Sequence, residues 1–480
     1  MNKPIRRVFW VVVALFALLA FYTARWTVID AKSLRQNSLN QIPTIRGLKK
    51  PRGSILAASG STIARSVKIG GGGDAFYSRR YPLGSLFGHP GGYSYARRGS
   101  AGLEKYYDDR LTGRTVAVTS VLDSLLGRGG DEQTMVTNLD RGTQQLAESE
   151  MQGRKGAIVV IDPKTGQVPV YVSIPPYNPS LMRTDAGFNV LNKDSNSPLF
   201  DRVSGAGYPP GSTFKVIAAT AALDTGVLKP DSLVDGDSPK TFSGKPLQND
   251  FNTSFGQITL THALVQSVNT VFGQIGVDLG KDTLTEYMKR YGFYSPPPVD
   301  MPGDALLSSG VYNSNTNRLL PPDAPVDLAR VAIGQERLKV TPIQMAEVAS
   351  TVANGGVRVA PRIAHTFEDR YGRVKKTIGT TTVRRVMSEQ TAKELNVMMR
   401  DVVEEGTGNP ANIAGLNLAG KTGTAEVPGG NQAWFIGFAP AEKPRYAIAV
   451  TIEKTDGFGG TVAAPIAASV LKDLLQKDGG

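Results

Sequence analysis

The residues most informative about the fold read YPPGSTFK, at positions 208–215. Two prolines and a glycine stop the preceding chain, and an apolar pattern from Val216 to Ala222 starts directly behind them. Ser212 is therefore predicted at or near the N-terminus of a helix. Lys215 lies three residues further along, on the same helix face, so the two side chains can meet.

This pair suits nucleophilic catalysis. A serine hydroxyl is a poor nucleophile at neutral pH unless a base lies beside it. A lysine can be that base when burial and the positive end of a helix dipole both favour its neutral amine. Ser212 is thus a candidate nucleophile, and Lys215 is its candidate base.

The composition narrows the other chemistry available. The 480 residues include no Cys and only three His, at positions 89, 262 and 365. The lack of Cys excludes disulfides, thiolate metal sites and a Cys nucleophile. Three scattered His residues disfavour multi-His metal sites and His-based triads, so no metal and no cofactor are expected.

A Ser-x-x-Lys motif alone is weak evidence, because a chain of this length contains such short motifs by chance. Ser469–Lys472 is a second Ser-x-x-Lys match. Two other short motifs also have isolated matches: Ser-x-Asn at Ser38–Asn40 and Lys-Thr-Gly at Lys164–Gly166. One ordered series nevertheless runs Ser-x-x-Lys, Ser-x-Asn, Lys-Thr-Gly. It starts at Ser212, continues at Ser267 and Asn269, and ends at Lys421–Gly423.

Charge is distributed unevenly along the chain. Of the 54 Lys+Arg and 42 Asp+Glu, residues 1–155 hold 23 basic and 11 acidic side chains, a net charge of +12, whereas residues 156–480 hold 31 of each. A basic region can indicate nucleic acid, a membrane surface or an acidic polymer as a partner. The length also favours two or three structural units.

The N-terminus predicts a membrane anchor. Residues 8–24 carry no charge, and this segment, at ~1.5 Å per residue, just reaches across a hydrocarbon core. Lys3, Arg6 and Arg7 precede it, which favours a cytoplasmic N-terminus. No small-x-small cleavage signal follows, so an uncleaved single-pass signal anchor is favoured over a removed signal peptide or a buried soluble helix. Residues from 26 onward are then extracytoplasmic, where nucleic acid is not expected as a partner.

Sequence patterns divide the remainder in two. Residues 26–155 show no sustained apolar periodicity, which predicts a small, partly extended pedestal. A hairpin with strands at 157–161 and 168–174 opens a second region. Further strands are predicted at 433–438 and 446–453, and helices at 212–222, 259–279, 341–353, 389–403 and 463–475. Strands at both ends predict an α/β domain whose sheet pairs its first and last segments.

The ordered motif series resembles that of class B penicillin-binding proteins, and most of all the actinobacterial type called penicillin-binding protein A. Further matching segments are Arg52–Ile55, Gly102–Glu104, Gly156–Pro179, Gly334–Gln335, Thr341–Ala346, Gly406–Gly408 and Ala433–Gly437. The resemblance implies three parts: a cytoplasmic tail and anchor (1–25), a pedestal or dimerisation-like domain (26–155) and a transpeptidase domain (156–480). The last would have the penicilloyl-serine transferase fold, an antiparallel sheet flanked by helices.

The resemblance also implies a role for each motif residue. Ser212 would be the acylated nucleophile and Lys215 its general base. Ser267 would relay a proton toward the leaving amine with Lys421, while Asn269 would hold Lys215 and the substrate amide. The simpler alternative for Ser267 and Asn269 is that they cap a helix.

The third motif would bind the substrate. Lys421, Thr422, Gly423 and Thr424 would form an exposed strand beside which the substrate peptide adds, and the glycine would leave room for that peptide's backbone. The backbone N–H groups of Ser212 and Thr424 would form the oxyanion hole. Trp434, next to two further large apolar residues, is expected in the core.

The activity implied is that of a peptidoglycan D,D-transpeptidase that cross-links stem peptides ending in D-Ala-D-Ala and is inhibited by β-lactams. Expected partners are those stem peptides, β-lactam antibiotics, the cytoplasmic membrane and other wall-synthesis proteins such as a glycosyltransferase. A bifunctional enzyme is disfavoured, because no long Glu-bearing glycosyltransferase module fits between residues 25 and 155. The open alternatives are a D,D-carboxypeptidase, a secreted β-lactamase, and a non-catalytic β-lactam sensor or division scaffold.

Overall fold

The computed structural model describes residues 3–26, 49–71, 75–113 and 132–479. The chance motif at Ser38–Asn40 and parts of the predicted pedestal lie outside the described residues. Within them, one helix, Lys3–Ala24 (α1), is long and apolar enough to cross a membrane, with a mean hydropathy of 2.0 and no buried residue. It contains the charge-free segment that predicted an anchor.

The described strands fall along the chain as follows. In chain order they are β1 Ile55–Leu56, β2 Thr62–Ile69, β3 Phe76–Arg80, β4 Ser94–Tyr95, β5 Gly99–Ser100, β6 Thr134–Thr137, β7 Gly156–Ile161, β8 Val170–Ile174, β9 Leu233–Asp235, β10 Lys240–Phe242, β11 Lys245–Leu247, β12 Gln257–Thr259, β13 Gly310–Val311, β14 Leu338–Lys339, β15 Val357–Val359, β16 Ala364–Glu368, β17 Val374–Thr377, β18 Thr382–Arg385, β19 Ala419–Val427, β20 Gly430–Ala439 and β21 Tyr446–Thr455.

The described helices lie between and around these strands. After α1 they are α2 Gly88–Gly91, α3 Gly102–Tyr106, α4 Asp108–Leu111, α5 Arg141–Glu150, α6 Asp185–Lys193, α7 Lys215–Asp224, α8 Leu260–Val265, α9 Asn269–Tyr291, α10 Leu328–Ala332, α11 Pro342–Ala353, α12 Glu389–Glu404 and α13 Ala464–Asp478. Single helical turns occur at Pro179–Arg183, Gly211–Phe214, Asp250–Asn252, Gly303–Ala305, Asn409–Ala411 and Gly459–Ala463.

The centre of the larger domain is a five-stranded antiparallel sheet in the order β19-β20-β21-β7-β8. Its first strand, β7, pairs with its last, β21, which confirms that the sheet joins the two ends of the domain. Side chains of β7 alternate between two apolar cores: Val159 belongs to one and Ile158 to the other. Helix α11 covers the first face and α13 the second, so both faces of the sheet are buried.

One predicted helix is wrong in its extent. The apolar pattern at 259–279 predicted a continuous helix, but the helix is interrupted between α8 and α9. Ser267 lies in this interruption, with φ +59°. Asn249, distant in sequence, accepts the Thr270 N–H at 2.9 Å and so caps the new helix start. A tertiary contact therefore decides a boundary that local periodicity does not mark.

The pedestal is organised around a six-stranded sheet in the order β17-β16-β6-β1-β2-β3. Strands β16 and β17 come from residues 364–377, far beyond position 155, so this sheet joins two distant parts of the chain. The division of the chain at 155 stays a prediction. An ion cluster links β3 of this sheet to α3: Glu104 accepts from Arg52 Nε at 2.5 Å and from Arg79 Nε at 2.6 Å. Two of the matching segments, Arg52–Ile55 and Gly102–Glu104, meet in this cluster.

Candidate active site

The predicted nucleophile lies on a single helical turn, Gly211–Phe214, which runs directly into α7. Gly211 has φ +53°, its N–H donates to the carbonyl of Gly334 at 3.0 Å, and a Cβ added to it would lie 2.6 Å from the carbonyl oxygen of Thr424. Glycine is therefore required where the turn is held between the Gly334 loop and β19. The Gly334–Gln335 segment therefore has a structural role, because it holds the nucleophile turn in place.

The chain just before the nucleophile is held by an indole. Trp434 is fully buried, as expected, and its Nε1–H donates to the carbonyl of Pro209 at 2.9 Å. Its ring also meets that of Tyr208 edge to face, with the centroids 6.1 Å apart. Trp434 is thus a core residue that also fixes the entry to the Ser212 turn.

Lys215 is the first residue of α7 and is fully buried. Its Nζ donates to the carbonyl oxygen of Ser267 at 2.6 Å and to Asn269 Oδ1 at 2.6 Å, and it lies 3.1 Å from Ser267 Oγ. Burial, together with the charge of Lys421, lowers the pKa of Lys215 well below its ordinary value, and Asp250 opposes this shift. The amine is consequently biased toward its neutral form.

Ser267 and Asn269 contact Lys215 because the helix is interrupted between α8 and α9. The cap interpretation finds no support: α9 is preceded by Val268, and Asn249 satisfies the first turn instead. Asn269 Oδ1 faces Lys215, while its Nδ2 donates to the carbonyl of Gln248 at 3.0 Å. Its amide is therefore oriented by partners on both sides.

Lys421 lies in β19, an edge strand of the central sheet, and is fully buried. Its Nζ donates to the carbonyl of Thr422 at 3.1 Å. Burial lowers the pKa of Lys421 to about 7, and the charge of Asp250 opposes that shift. The site thus holds two buried lysines, and the charge of Lys421 acts on Lys215.

The rest of the third motif follows the edge strand β19, and the role of that edge in binding a peptide stays a prediction. The side chain of Thr422 is only 6% exposed, and its Oγ1 lies 2.6 Å from Thr407 Oγ1. A Cβ on Gly423 would lie 2.7 Å from the carbonyl oxygen of Pro210, so the glycine makes room for the protein's own nucleophile turn. Thr424 is half-buried and its Oγ1 accepts the Gly459 N–H at 3.0 Å.

The described chance motifs lie apart from this cluster. Lys164–Gly166 forms the turn between β7 and β8, where Asp162 Oδ1 accepts the Lys164 N–H at 2.8 Å. Ser469 lies on α13 and donates to Glu150 at 2.7 Å. Across residues 3–26, 49–71, 75–113 and 132–479 there is no group of three His, Cys, Asp or Glu placed to hold a metal ion.

Sequence reasoning missed the loop that covers this side of the site. Asp250 Oδ1 accepts from Asn269 Nδ2 at 3.1 Å, and the next residue, Phe251, is 87% exposed. Its ring lies 6.1 Å from that of Phe458, which precedes the Gly459 contact to β19. No motif marks these positions, because the contacts depend on how distant loops meet.

Comparisons with known proteins agree on one family. The model of the penicillin-binding protein transpeptidase domain matches residues 156–472, and that of the penicillin-binding protein A dimerisation domain matches residues 52–133. The peptidoglycan D,D-transpeptidase PbpA of Mycolicibacterium smegmatis is 32% identical over 99% of this chain and 100% of that protein. The stage V sporulation protein D of Bacillus subtilis is 32% identical over 84% of this chain and 64% of that protein.

Solved structures give the same result. Penicillin-binding protein A of M. tuberculosis, in a ceftriaxone acyl-enzyme complex, superposes with a TM-score of 0.80 at 30% identity, covering 90% of this chain and 100% of the other. A D,D-transpeptidase domain from Eggerthella lenta gives 0.78 at 32% identity, covering 90% and 99%. With the sheet, the pedestal match and the three assembled motifs, these findings lead to one conclusion: the chain belongs to the penicillin-binding protein transpeptidase family.

Proposed function

We propose that this protein is a peptidoglycan D,D-transpeptidase that works through an acyl-enzyme on Ser212. One observation carries the proposal: Lys215, on the helical turn that follows Ser212, is buried, and its amine is held by Ser267 and Asn269. Relatives at about 30% identity bear the name peptidoglycan D,D-transpeptidase, and the M. tuberculosis relative was solved as β-lactam acyl-enzymes.

The first half-reaction forms the ester. Ser212 Oγ attacks the carbonyl of the penultimate D-Ala while Lys215 takes the hydroxyl proton. The C–N bond to the terminal D-Ala then breaks, and a proton passes to the leaving amine through Ser267 with the help of Lys421. A lysine whose pKa is about 7 can exchange protons in both directions near neutral pH.

The second half-reaction forms the cross-link. An amine of a neighbouring stem peptide attacks the ester carbonyl, the C–O bond to Ser212 breaks, and the serine recovers its proton. A β-lactam presents a similar carbonyl to Ser212, but its leaving nitrogen stays tethered to the acyl group. Acylation by a β-lactam therefore leaves the serine blocked.

The substrate is proposed to bind against the Lys421–Thr424 segment of β19. Thr422, Gly423 and Thr424 would direct backbone groups toward the stem peptide, and the N–H groups of Ser212 and Thr424 would receive the developing oxyanion. The close approach of the Gly211 turn to Thr424 supports this, because it brings the two proposed donors onto adjoining segments. Removing one such donor typically costs ~3–4 kcal/mol of barrier.

The N-terminal helix supports a membrane location. We propose that α1 spans the cytoplasmic membrane with the basic side chains of Lys3, Arg6 and Arg7 on the cytoplasmic side, so that the pedestal (26–155) and the transpeptidase domain (156–480) lie outside. The site would then face nascent glycan strands. A wall glycosyltransferase is a fitting partner there, since it produces the strands that are to be cross-linked.

The decisive experiment is labelling with fluorescent penicillin followed by peptide mass spectrometry. The wild-type chain should be labelled once, at Ser212, and Ser212→Ala should remain folded but unlabelled. Ser469→Ala is the matched control, since it alters the Ser-x-x-Lys motif on α13, and it should be labelled like wild type. Labelling that persists in Ser212→Ala would refute the assignment.

Acceptor choice separates a transpeptidase from a carboxypeptidase. Water is present at ~55 M, so an amine competes only when the site orients it toward the ester. The full chain in detergent, given a D-Ala-D-Ala stem peptide or thioester analogue with a D-amino acid, should yield amine-linked product besides any hydrolysis. Hydrolysis alone across several acceptors, polymeric strands included, would favour the carboxypeptidase.

A further inference from the structure

A short loop, Gln248–Asn252, covers the start of α9 beside the lysine cluster. Asn249 is buried and fixes the loop in place: its Oδ1 accepts the Thr270 N–H at 2.9 Å and its Nδ2 donates to the carbonyl of Gly236 at 3.0 Å. Phe251 and the residue after it both have positive φ, at 57° and 56°. The loop is thus held in a strained conformation against the site.

The loop also determines how the Asn269 amide is oriented. Both hydrogens of Nδ2 are taken, one by the carbonyl of Gln248 at 3.0 Å and one by Asp250 Oδ1 at 3.1 Å. A carbonyl and a carboxylate accept hydrogen bonds and cannot donate them. A flipped amide would place Oδ1 against these two acceptors, so the orientation that presents Oδ1 to Lys215 is selected.

That orientation matters for a base. A neutral lysine amine has two N–H hydrogens and one lone pair. The two short contacts of Lys215, to the Ser267 carbonyl and to Asn269 Oδ1, both lead to oxygens that only accept, so they use both hydrogens. The lone pair is then left for a hydroxyl proton, either that of Ser267, whose Oγ lies 3.1 Å from Nζ, or that of Ser212. A flipped Asn269 would instead donate an N–H to that lone pair and block it.

We propose that Asp250 is a positioning residue for serine acylation: its carboxylate fixes the Asn269 amide, which keeps the Lys215 lone pair free. This inference rests on the proposed function, because it assumes that Lys215 is the base for Ser212. Asp250 itself touches neither reacting atom.

The charge of Asp250 adds a measurable consequence. It raises the pKa of Lys215 and of Lys421, in opposition to burial, and the two lysines are the charged groups that the site presents to it. Three other cations lie on elements next to the loop: Lys240 is paired with Asp235 at 3.0 Å, Lys245 is exposed, and Arg330 donates to the Pro246 carbonyl and is paired with Asp327 at 2.6 Å. Neutralising Asp250 would therefore lower the pKa of both lysines further.

The test is the pH dependence of the penicillin acylation rate in the full chain. In wild type the rate should rise with pH as the amine loses its proton. In Asp250→Asn this rise should move to lower pH by about half a unit, because an attracting charge is lost. The rate on the plateau should fall several-fold, since the new carboxamide can donate toward a flipped Asn269. Asp250→Glu, which keeps charge and acceptor, should recover the wild-type midpoint.

Asp237→Asn is the matched control. Asp237 lies between β9 and β10, ahead of the same loop, and accepts from Ser254 Oγ at 2.8 Å without contact to the Asn269 amide. The pH dependence of acylation in Asp237→Asn should therefore coincide with that of wild type. Asp250→Ala serves as a second test variant should Asp250→Asn fail to fold, and it should show the same shift. A folded Asp250 variant with the wild-type midpoint and plateau would overturn the proposal. Absence of labelling at Ser212 in wild type would instead overturn the proposed function.

Discussion

Two buried ionic clusters in this protein differ in what surrounds the charge. In the pedestal, Glu104 is fully buried, and Arg52 and Arg79 donate to it directly. In the active site, Lys215 and Lys421 are buried to the same degree, but among the described residues their hydrogen bonds go to neutral oxygens. One cluster pairs opposite charges in contact, and the other holds like charges without a contacting acid.

The protonation states follow from that difference. Burial alone would raise the pKa of Glu104, but the two arginines outweigh it and hold the pKa below its usual value. Burial lowers the pKa of both lysines, and for Lys215 the charge of Lys421 adds to the effect. A paired buried ion stays charged and serves the fold, whereas an unpaired buried lysine gives up its proton and is available as a base.

The largest effect that tests this contrast is on catalysis. Lys215→Arg retains the charge, but a guanidinium does not deprotonate at accessible pH. Penicillin acylation should drop by about 10²–10⁴-fold, in keeping with loss of a general base. Lys164→Arg, in the surface turn between β7 and β8, is the control and should acylate normally. A Lys215→Arg rate within about threefold of wild type would make Lys215 structural.

The converse substitution should act on stability and spare the chemistry. Glu104→Gln leaves the buried Arg79 without its acid partner, whereas the partly buried Arg52 keeps Asp108. Loss of the buried pair should reduce the free energy of unfolding by about 3–5 kcal/mol. The acylation rate of the folded fraction should match wild type. Chemical denaturation measures the first quantity and labelling kinetics the second. Asp109→Asn, an exposed acid a few residues away, is the control, and equal stability of the two variants would contradict the contrast.

Sequence predicts the active-site cluster better than the pedestal cluster, for a physical reason. Ser212 and Lys215 are one helical turn apart, so their proximity is local, and the order of motifs indicated Ser267, Asn269 and Lys421. The pedestal sheet instead pairs β6 with β16, which is more than 200 residues away, and nothing in either short strand specifies such a partner.

Sequence also fails where a tertiary contact overrides a local pattern. The apolar periodicity at 259–279 continues through Ser267, yet the chain breaks there because Asn249 caps α9. The contact of Gly423 with the Ser212 turn, where an added Cβ would meet the Pro210 carbonyl, likewise carries no signal in the sequence. Asp250 carries no local signal, since its carboxylate reaches Asn269 only in the folded protein.

The smallest predicted effect is a pH slope in stability. The pKa of Lys421 is about 7 in the folded state and ~10.4 in an unfolded chain, so between these values the unfolded state binds a proton that the folded state lacks. Stability should therefore rise with pH in that window, by at most about 1.4 kcal/mol per pH unit for one lysine. Glu104 gives a slope of the same sign in an acid window: its stabilising contribution is lost as the pH falls through its lowered pKa.

Lys421→Met isolates this slope. The variant removes the titrating amine, so its free energy of unfolding should change less steeply with pH between 7 and 9 than that of wild type. Lys164→Met, which removes the exposed lysine of the other Lys-Thr-Gly motif, should leave the slope unchanged. Denaturation curves at several pH values measure all three slopes. Parallel curves for Lys421→Met and wild type would mean that Lys421 stays charged in the folded protein, and the contrast between the two clusters would then fail at that lysine.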